Sequence, residues 1–115
     1  MFLTMVRIFP HSSDEEAVRG FLAGVLGQTR VQPGCLGCTL ATEYEPDALL
    51  LTETWQSKED LLRRLQSDEY AKILATMELS ASRPEVCVYE VTGQEGLELI
   101  EKVRMAGQDA DATSQ

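Results

Sequence analysis

The sequence predicts an α+β fold: a ferredoxin-like βαββαβ chain with a four-stranded antiparallel sheet and an extra C-terminal helix. Three observations carry this expectation. Apolar residues switch between strand-like and helix-like spacing along the chain. Turn signals at Gln32-Pro33-Gly34 and Glu45-Pro46-Asp47-Ala48 punctuate them. The second of these is short, which makes strands two and three an antiparallel hairpin.

Each element has its own local reason. Phe2 to Phe9 reads as a strand closed by Pro10, with Phe2, Val6 and Ile8 on one face and Leu3, Met5 and Phe9 on the other. His11 to Glu16 starts a helix. Ser13 and Glu16 have capping-box spacing, and Glu15 and Glu16 suit the positive end of the helix. Ala17, Val18, Phe21, Leu22, Val25 and Leu26 keep helical spacing, and the helix is expected to reach about Val31. Cys35 to Tyr44 is the second strand and Leu49 to Trp55 the third. Ser57 caps a helix bearing Leu61, Leu62 and Leu65. Ser67 offers a second cap before Tyr70, Ile73, Leu74 and Met77, so a bend is expected near Ser67. Arg83-Pro84 leads into a fourth strand, Glu85 to Val91, ended by Gly93. Gln94 to Met105 is amphipathic, with Leu97, Ile100 and Val103 on one side. The expected organisation is one domain over residues 1–93, a C-terminal helix over 94–105 and a disordered tail over 106–115.

The chain's 115 residues suffice for one hydrophobic core. A net charge of −9 argues against nucleic acid, which is bound through Lys and Arg on phosphates, and against anionic membrane surfaces. The apolar runs are too short to span a bilayer, and Arg7 interrupts any signal-peptide core. Three cysteines, an odd number, fit a reducing compartment better than a disulfide framework, so a cytoplasmic location is expected. The predicted sheet is apolar on both faces: strand one on both sides, and Leu49-Leu50-Leu51 in strand three. Such a sheet needs a second cover, and a homodimer packed sheet to sheet is the economical one. The terminal helix folded over the open face is the competing cover.

Candidate chemistry concentrates at Glu53-Thr54-Trp55-Gln56-Ser57, which holds the only tryptophan. Strand parity points Glu53 and Trp55 to the same face, a carboxylate beside a stacking surface; the alternative is a core tryptophan with a glutamate at the rim. Tyr70 can aim its hydroxyl into the space between helices and sheet. Gly20, Gly24 and Gly27 share one side of the first helix, which implies close approach by another element or room for a ligand. Cys35-Leu36-Gly37-Cys38 is a C-x-x-C, but at a strand start its cysteines are expected to face opposite sides. His11, the only histidine, reads as a solvated loop residue, and no metal site is expected.

Three segments in this order, Pro33 to Cys38, Glu53 to Glu59 and Pro84 to Val91, resemble the antibiotic biosynthesis monooxygenase domain over about residues 2 to 93. The resemblance implies a dimeric α/β barrel of ferredoxin-like subunits. It also implies cofactor-independent oxygenation of a small aromatic quinol or phenol, with no metal or flavin. Glu53 and Tyr70 are the implied catalytic candidates, base or orienting acceptor and hydrogen-bond donor respectively. Trp55, Leu51, Leu61 and Leu74 are the candidates for substrate contact. Leu51 stands where polyketide oxygenases of the family place an asparagine, and Leu61 where they place a tyrosine. Leu74 stands at the haem-ligand position of the haem-degrading branch, and Arg64 at that branch's tryptophan. The alternatives are a non-catalytic dimeric ligand-binding or interaction module, and an isomerase or lyase on the same barrel.

Overall fold

The computed structural model describes residues 1–113. The elements run β1 (Phe2–Ile8), α1 (Glu15–Arg30), β2 (Cys35–Glu43), β3 (Ala48–Trp55), α2 (Lys58–Leu65), α3 (Asp68–Met77), β4 (Glu85–Glu90) and α4 (Leu97–Thr113). The strands form one antiparallel sheet in the order β2-β3-β1-β4. This is the ferredoxin-like α+β arrangement the sequence predicts.

Strand parity builds the core. Val6 and Ile8 of β1 and Leu49 and Leu51 of β3 face the helices and pack with Val18 and Leu22 of α1 and Tyr70 and Ile73 of α3. Burial of each large apolar side chain contributes about 1.5–3 kcal/mol. Ser57 and Ser67 cap α2 and α3 as expected, accepting from the backbone N–H of Asp60 and of Tyr70, each at 3.2 Å. Ser67 has an extended backbone, so the helical region breaks there into two pieces. That break turns Arg64, near the end of α2, and Glu69, at the start of α3, toward each other.

Three local expectations differ from the structure. The Ser13–Glu16 capping box does not form; Asp14 is the N-cap residue, with no side-chain cap bond. Its N–H donates instead to the carbonyl of His11 at 2.9 Å, so residues 11–14 close a turn of their own. The terminal helix spans Leu97–Thr113 rather than 94–105, continuing through the segment expected to be a disordered tail. Alanines at 106, 110 and 112 give that segment helix propensity. The last two residues of the expected tail, 114–115, lie outside the described residues. Finally, the register of β2 shifts between Cys35 and Gly37, a bulge that lets Leu36 out to solvent. Cys35 then pairs with Trp55 and Cys38 with Glu53. Both cysteines therefore share the helix-facing side, not opposite sides.

The other face of the sheet carries Leu3, Met5 and Leu50, all half-buried. It also carries Arg7, paired with Glu43 of β2 and with Glu85 of β4. The Arg7 guanidinium holds the Glu43 carboxyl below its ordinary range. The terminal helix leaves its own stripe open: Leu97, Ile100, Val103 and Met105 are each more than half exposed. β4 is likewise bare at Val86 and Val88. Among the described residues no helix is long and apolar enough to cross a membrane.

Gly34 fixes the turn into β2. Its φ is +83°, and a Cβ there would lie 2.2 Å from the Asp60 carboxylate. Its carbonyl accepts from the Gln56 N–H at 2.8 Å, locking this turn to the end of β3. Gly34→Ala is therefore expected to cost about 1–3 kcal/mol, from the left-handed backbone and the displaced Asp60 together. Chemical denaturation of the variant beside the wild type checks this; an unchanged midpoint would contradict it.

Candidate functional site

β3 ends at Trp55, and the alternation of the strand sends Glu53 and Trp55 to the helix side together. Both are 1% exposed. The Trp55 indole Nε1–H donates to Glu53 Oε1 at 3.2 Å, so the juxtaposition expected from the sequence is present as a direct hydrogen bond. The carboxylate is not at a rim. It is fully buried, and a buried carboxylate requires a counter-charge.

Arg64 supplies it. This residue lies one turn beyond Leu61 on the buried face of α2 and is 4% exposed. Its Nε donates to Glu53 Oε1 at 3.1 Å, and its Nη2 lies 3.4 Å from Oε2. Nη2 also donates to Thr29 Oγ1 at 2.9 Å, and the Thr29 hydroxyl donates to the Val25 carbonyl within α1 at 2.8 Å. The guanidinium lies 5.6 Å from the centre of the Tyr70 ring, within cation–π range. Its Nη1 is left with the ion pair to Glu69 Oε2 at 3.5 Å, and Glu69 is half exposed. One side chain thus joins β3, α1, α2 and α3.

A cavity of about 300 Å³ opens beside this guanidinium, between α1 and α3. Gly20, Phe21 and Gly24 of α1 form one wall; Arg64, Glu69 and Lys72 form the polar side. A Cβ built at Gly20, Gly24 or Gly27 would meet nothing within 4 Å. Among the described residues, then, no other element approaches the glycine stripe closely; the stripe leaves room. A second crevice of about 50 Å³ borders Trp55 and shares Arg64 and Glu69 with the larger one.

The residues singled out in the sequence separate into groups. Glu53 and Trp55 come together with Arg64. Tyr70 is buried in the core cluster and backs the Arg64 guanidinium. Burial, followed by the Glu53 charge, pushes the Tyr70 phenol up, so it stays protonated. Leu51 and Leu61 are core side chains, while Leu74 is 49% exposed on α3. None of these three borders the larger cavity. Arg64, Glu69 and Lys72 were missed as a group. The available signal was the spacing Leu61, Arg64, Leu65, which places a cation on an apolar stripe. Burial pushes the Cys38 thiol up to about 12, which makes it a poor nucleophile. Among the described residues no three His, Cys, Asp or Glu side chains are grouped to hold a metal ion.

Removing one partner of a buried ion pair strands the other. Arg64→Met is therefore expected to cost about 3–5 kcal/mol in urea unfolding. Glu53→Gln combined with Arg64→Met, which removes the stranded charge but keeps an acceptor for Trp55, is expected to recover a large part of it. A double variant no more stable than Arg64→Met alone would contradict this account.

Known proteins place this architecture. The sequence profile of the antibiotic biosynthesis monooxygenase family matches residues 1–76. No curated protein matches the chain significantly. Among solved structures, a candidate antibiotic biosynthesis monooxygenase from Deinococcus radiodurans superposes with a TM-score of 0.76 at 16% identity, covering 84% of this chain and 98% of the other. Rv0793 from Mycobacterium tuberculosis gives 0.74 at 23% identity, covering 83% and 98%. A candidate monooxygenase of the same kind from Nitrosomonas europaea gives 0.71 at 17% identity, covering 81% and 100%. At these identities the structures speak for the fold, and the profile speaks for the family: the chain belongs to the antibiotic biosynthesis monooxygenase family.

Proposed function

We propose that the chain binds a small aromatic phenol or quinol in the cavity between α1 and α3 and promotes its oxygenation by dioxygen. The carrying observation is a fixed guanidinium, Arg64, on the polar side of a cavity whose facing wall on α1 includes Gly20, Phe21, Gly24 and Val25. A flat ring fits against the glycine wall. Its hydroxyl then faces Arg64 and Lys72, and two cations favour the ionised form. The phenolate is the electron-rich form of such a ring, the one able to reduce dioxygen. The family resemblance implies that the substrate's own electrons reduce dioxygen, so no metal or flavin enters this proposal.

In this scheme Glu53 is an orienting acceptor rather than a base. Both of its oxygens are engaged, by Trp55 and by Arg64, and it holds the guanidinium in one plane. Trp55 fixes Glu53, and the protonated Tyr70 supplies its ring as backing for Arg64. The substrate proton leaves to solvent at the mouth of the cavity. Leu51 and Leu61 serve the core beneath the site. The free thiols of Cys35, Cys38 and Cys87 suit a reducing, cytoplasmic setting.

One observation favours a second reading, a ligand-binding module without catalysis: Glu53, the fully buried carboxylate at the site, is already satisfied. The same fact weighs against an isomerase or lyase, which needs a free acid/base pair. Oxygen uptake with a panel of hydroquinones and naphthols separates these possibilities. Uptake above background is expected, reduced about 10- to 100-fold in Arg64→Lys, which keeps the charge but loses the planar fork. Ligand binding without any uptake would replace the oxygenase with the binding module.

A homodimer is part of this proposal. Leu3, Met5 and Leu50 lie on the face of the sheet away from the helices, and α4 keeps its own apolar stripe exposed. Light scattering is expected to give twice the chain mass, and Leu50→Lys to shift the protein toward monomer. A monomeric wild type would refute the dimer.

A further inference from the structure

Glu69 stands where a ligand's charged group would be expected. It starts α3 next to the Ser67 break, and its carboxylate lies 3.5 Å from Arg64 Nη1 while remaining 47% exposed. Arg64 uses Nε and Nη2 on buried partners, so Nη1 is the part of the fork left to Glu69. Lys72 lies one turn beyond Glu69 on the same side of α3. It is exposed, borders the same cavity, and has no ion-pair partner among the described residues. The cavity is thus bordered by two cations and one loosely placed carboxylate. The two carboxylates near Arg64 differ in kind. Glu53 is buried and held by three hydrogen bonds; Glu69 makes one long contact from a side chain that can swing into water.

We infer that Glu69 is a displaceable counter-ion, and that the cavity selects flat ligands bearing one anionic oxygen group, which replaces Glu69 on Arg64 and is received by Lys72. This rests on the ligand-binding cavity proposed above and names its ligand class: aromatic carboxylates or phenolates, in preference to neutral rings of the same shape. Glu69 itself is half exposed and makes a single contact at 3.5 Å, so it returns to water at small cost when a ligand anion takes its place. The neutral wall of glycines and Phe21 supplies shape without charge discrimination, so discrimination falls to the polar side. A neutral ligand leaves Glu69 in place and gains only the apolar contact.

The test uses the full chain and three probes of one shape: 2-naphthoate, 2-naphthol at a pH where it is ionised, and 2-naphthamide. Binding is measured by calorimetry and located by amide shifts of Gly20 and Gly24. The naphthoate and naphtholate arms distinguish a carboxylate from a phenolate as the preferred anion. Glu69→Gln is expected to tighten both anions about two- to fivefold and leave the amide unchanged. Lys72→Met is expected to weaken the anions by a similar factor. Both positions are exposed, and unchanged melting curves would show that the variants remain folded. Equal tightening of anion and amide in Glu69→Gln would overturn the inference, as would no change for the anions or failure of every probe to shift Gly20 and Gly24. Because binding is read without oxygen, the expected pattern with no oxygen uptake would remove the oxygenase and leave the anion site standing.

Discussion

The ion pair between Glu53 and Arg64 constrains the rest of this molecule. Both groups are buried, and their charges are acceptable inside the protein only because the hydrogen bonds are nearly complete. Completing them recruits Trp55 from β3, Thr29 from α1 and the Tyr70 ring from α3. Each recruited group fixes a distance between elements. The helix layer therefore sits on the sheet in one register, in a way that a purely apolar interface of leucines would specify less sharply. The break at Ser67 belongs to the same constraint, because it lets α2 present Arg64 inward while α3 brings Tyr70 and Glu69 around it.

The cavity is the other side of this arrangement. Glycines inside a helix are unfavourable by about 1 kcal/mol each relative to alanine, and α1 carries them at positions 20, 24 and 27. No close packing contact compensates for them among the described residues. Stability is given up along one helix face while the opposite wall holds a rigid cation. Open space beside a fixed charge is what a binding site for a flat, ionisable molecule requires, and it is not what a core optimised for stability would keep.

The outer surfaces follow a different logic. Leu3, Met5 and Leu50 share the far face with Arg7 and its two carboxylates, so that face mixes apolar area with a charge cluster. β4 exposes Val86 and Val88, and α4 exposes Leu97, Leu99, Ile100, Val103 and Met105, without cover among the described residues. These features are the reason a second copy of the chain enters the functional proposal: exposed apolar residues on a sheet call for another layer against them.

Much of this was legible in the residues. Periodicity and turn chemistry determined the strands, the helices and the hairpin, because those depend on contacts within a few residues of one another. Strand parity determined that Glu53 and Trp55 point together, and the serines at 57 and 67 marked the two helix starts. Parity failed at Cys35 and Cys38, where an inserted residue at Leu36 resets the alternation without any local signature beyond Gly37. Only the tertiary structure decided that Arg64 meets Glu53, that Leu74 faces solvent, and that the glycine stripe borders open space. The physical reason is the same in each case. A local conformation is set by neighbours in sequence, but the partner of a buried charge and the occupant of a helix face are set by which distant elements pack together.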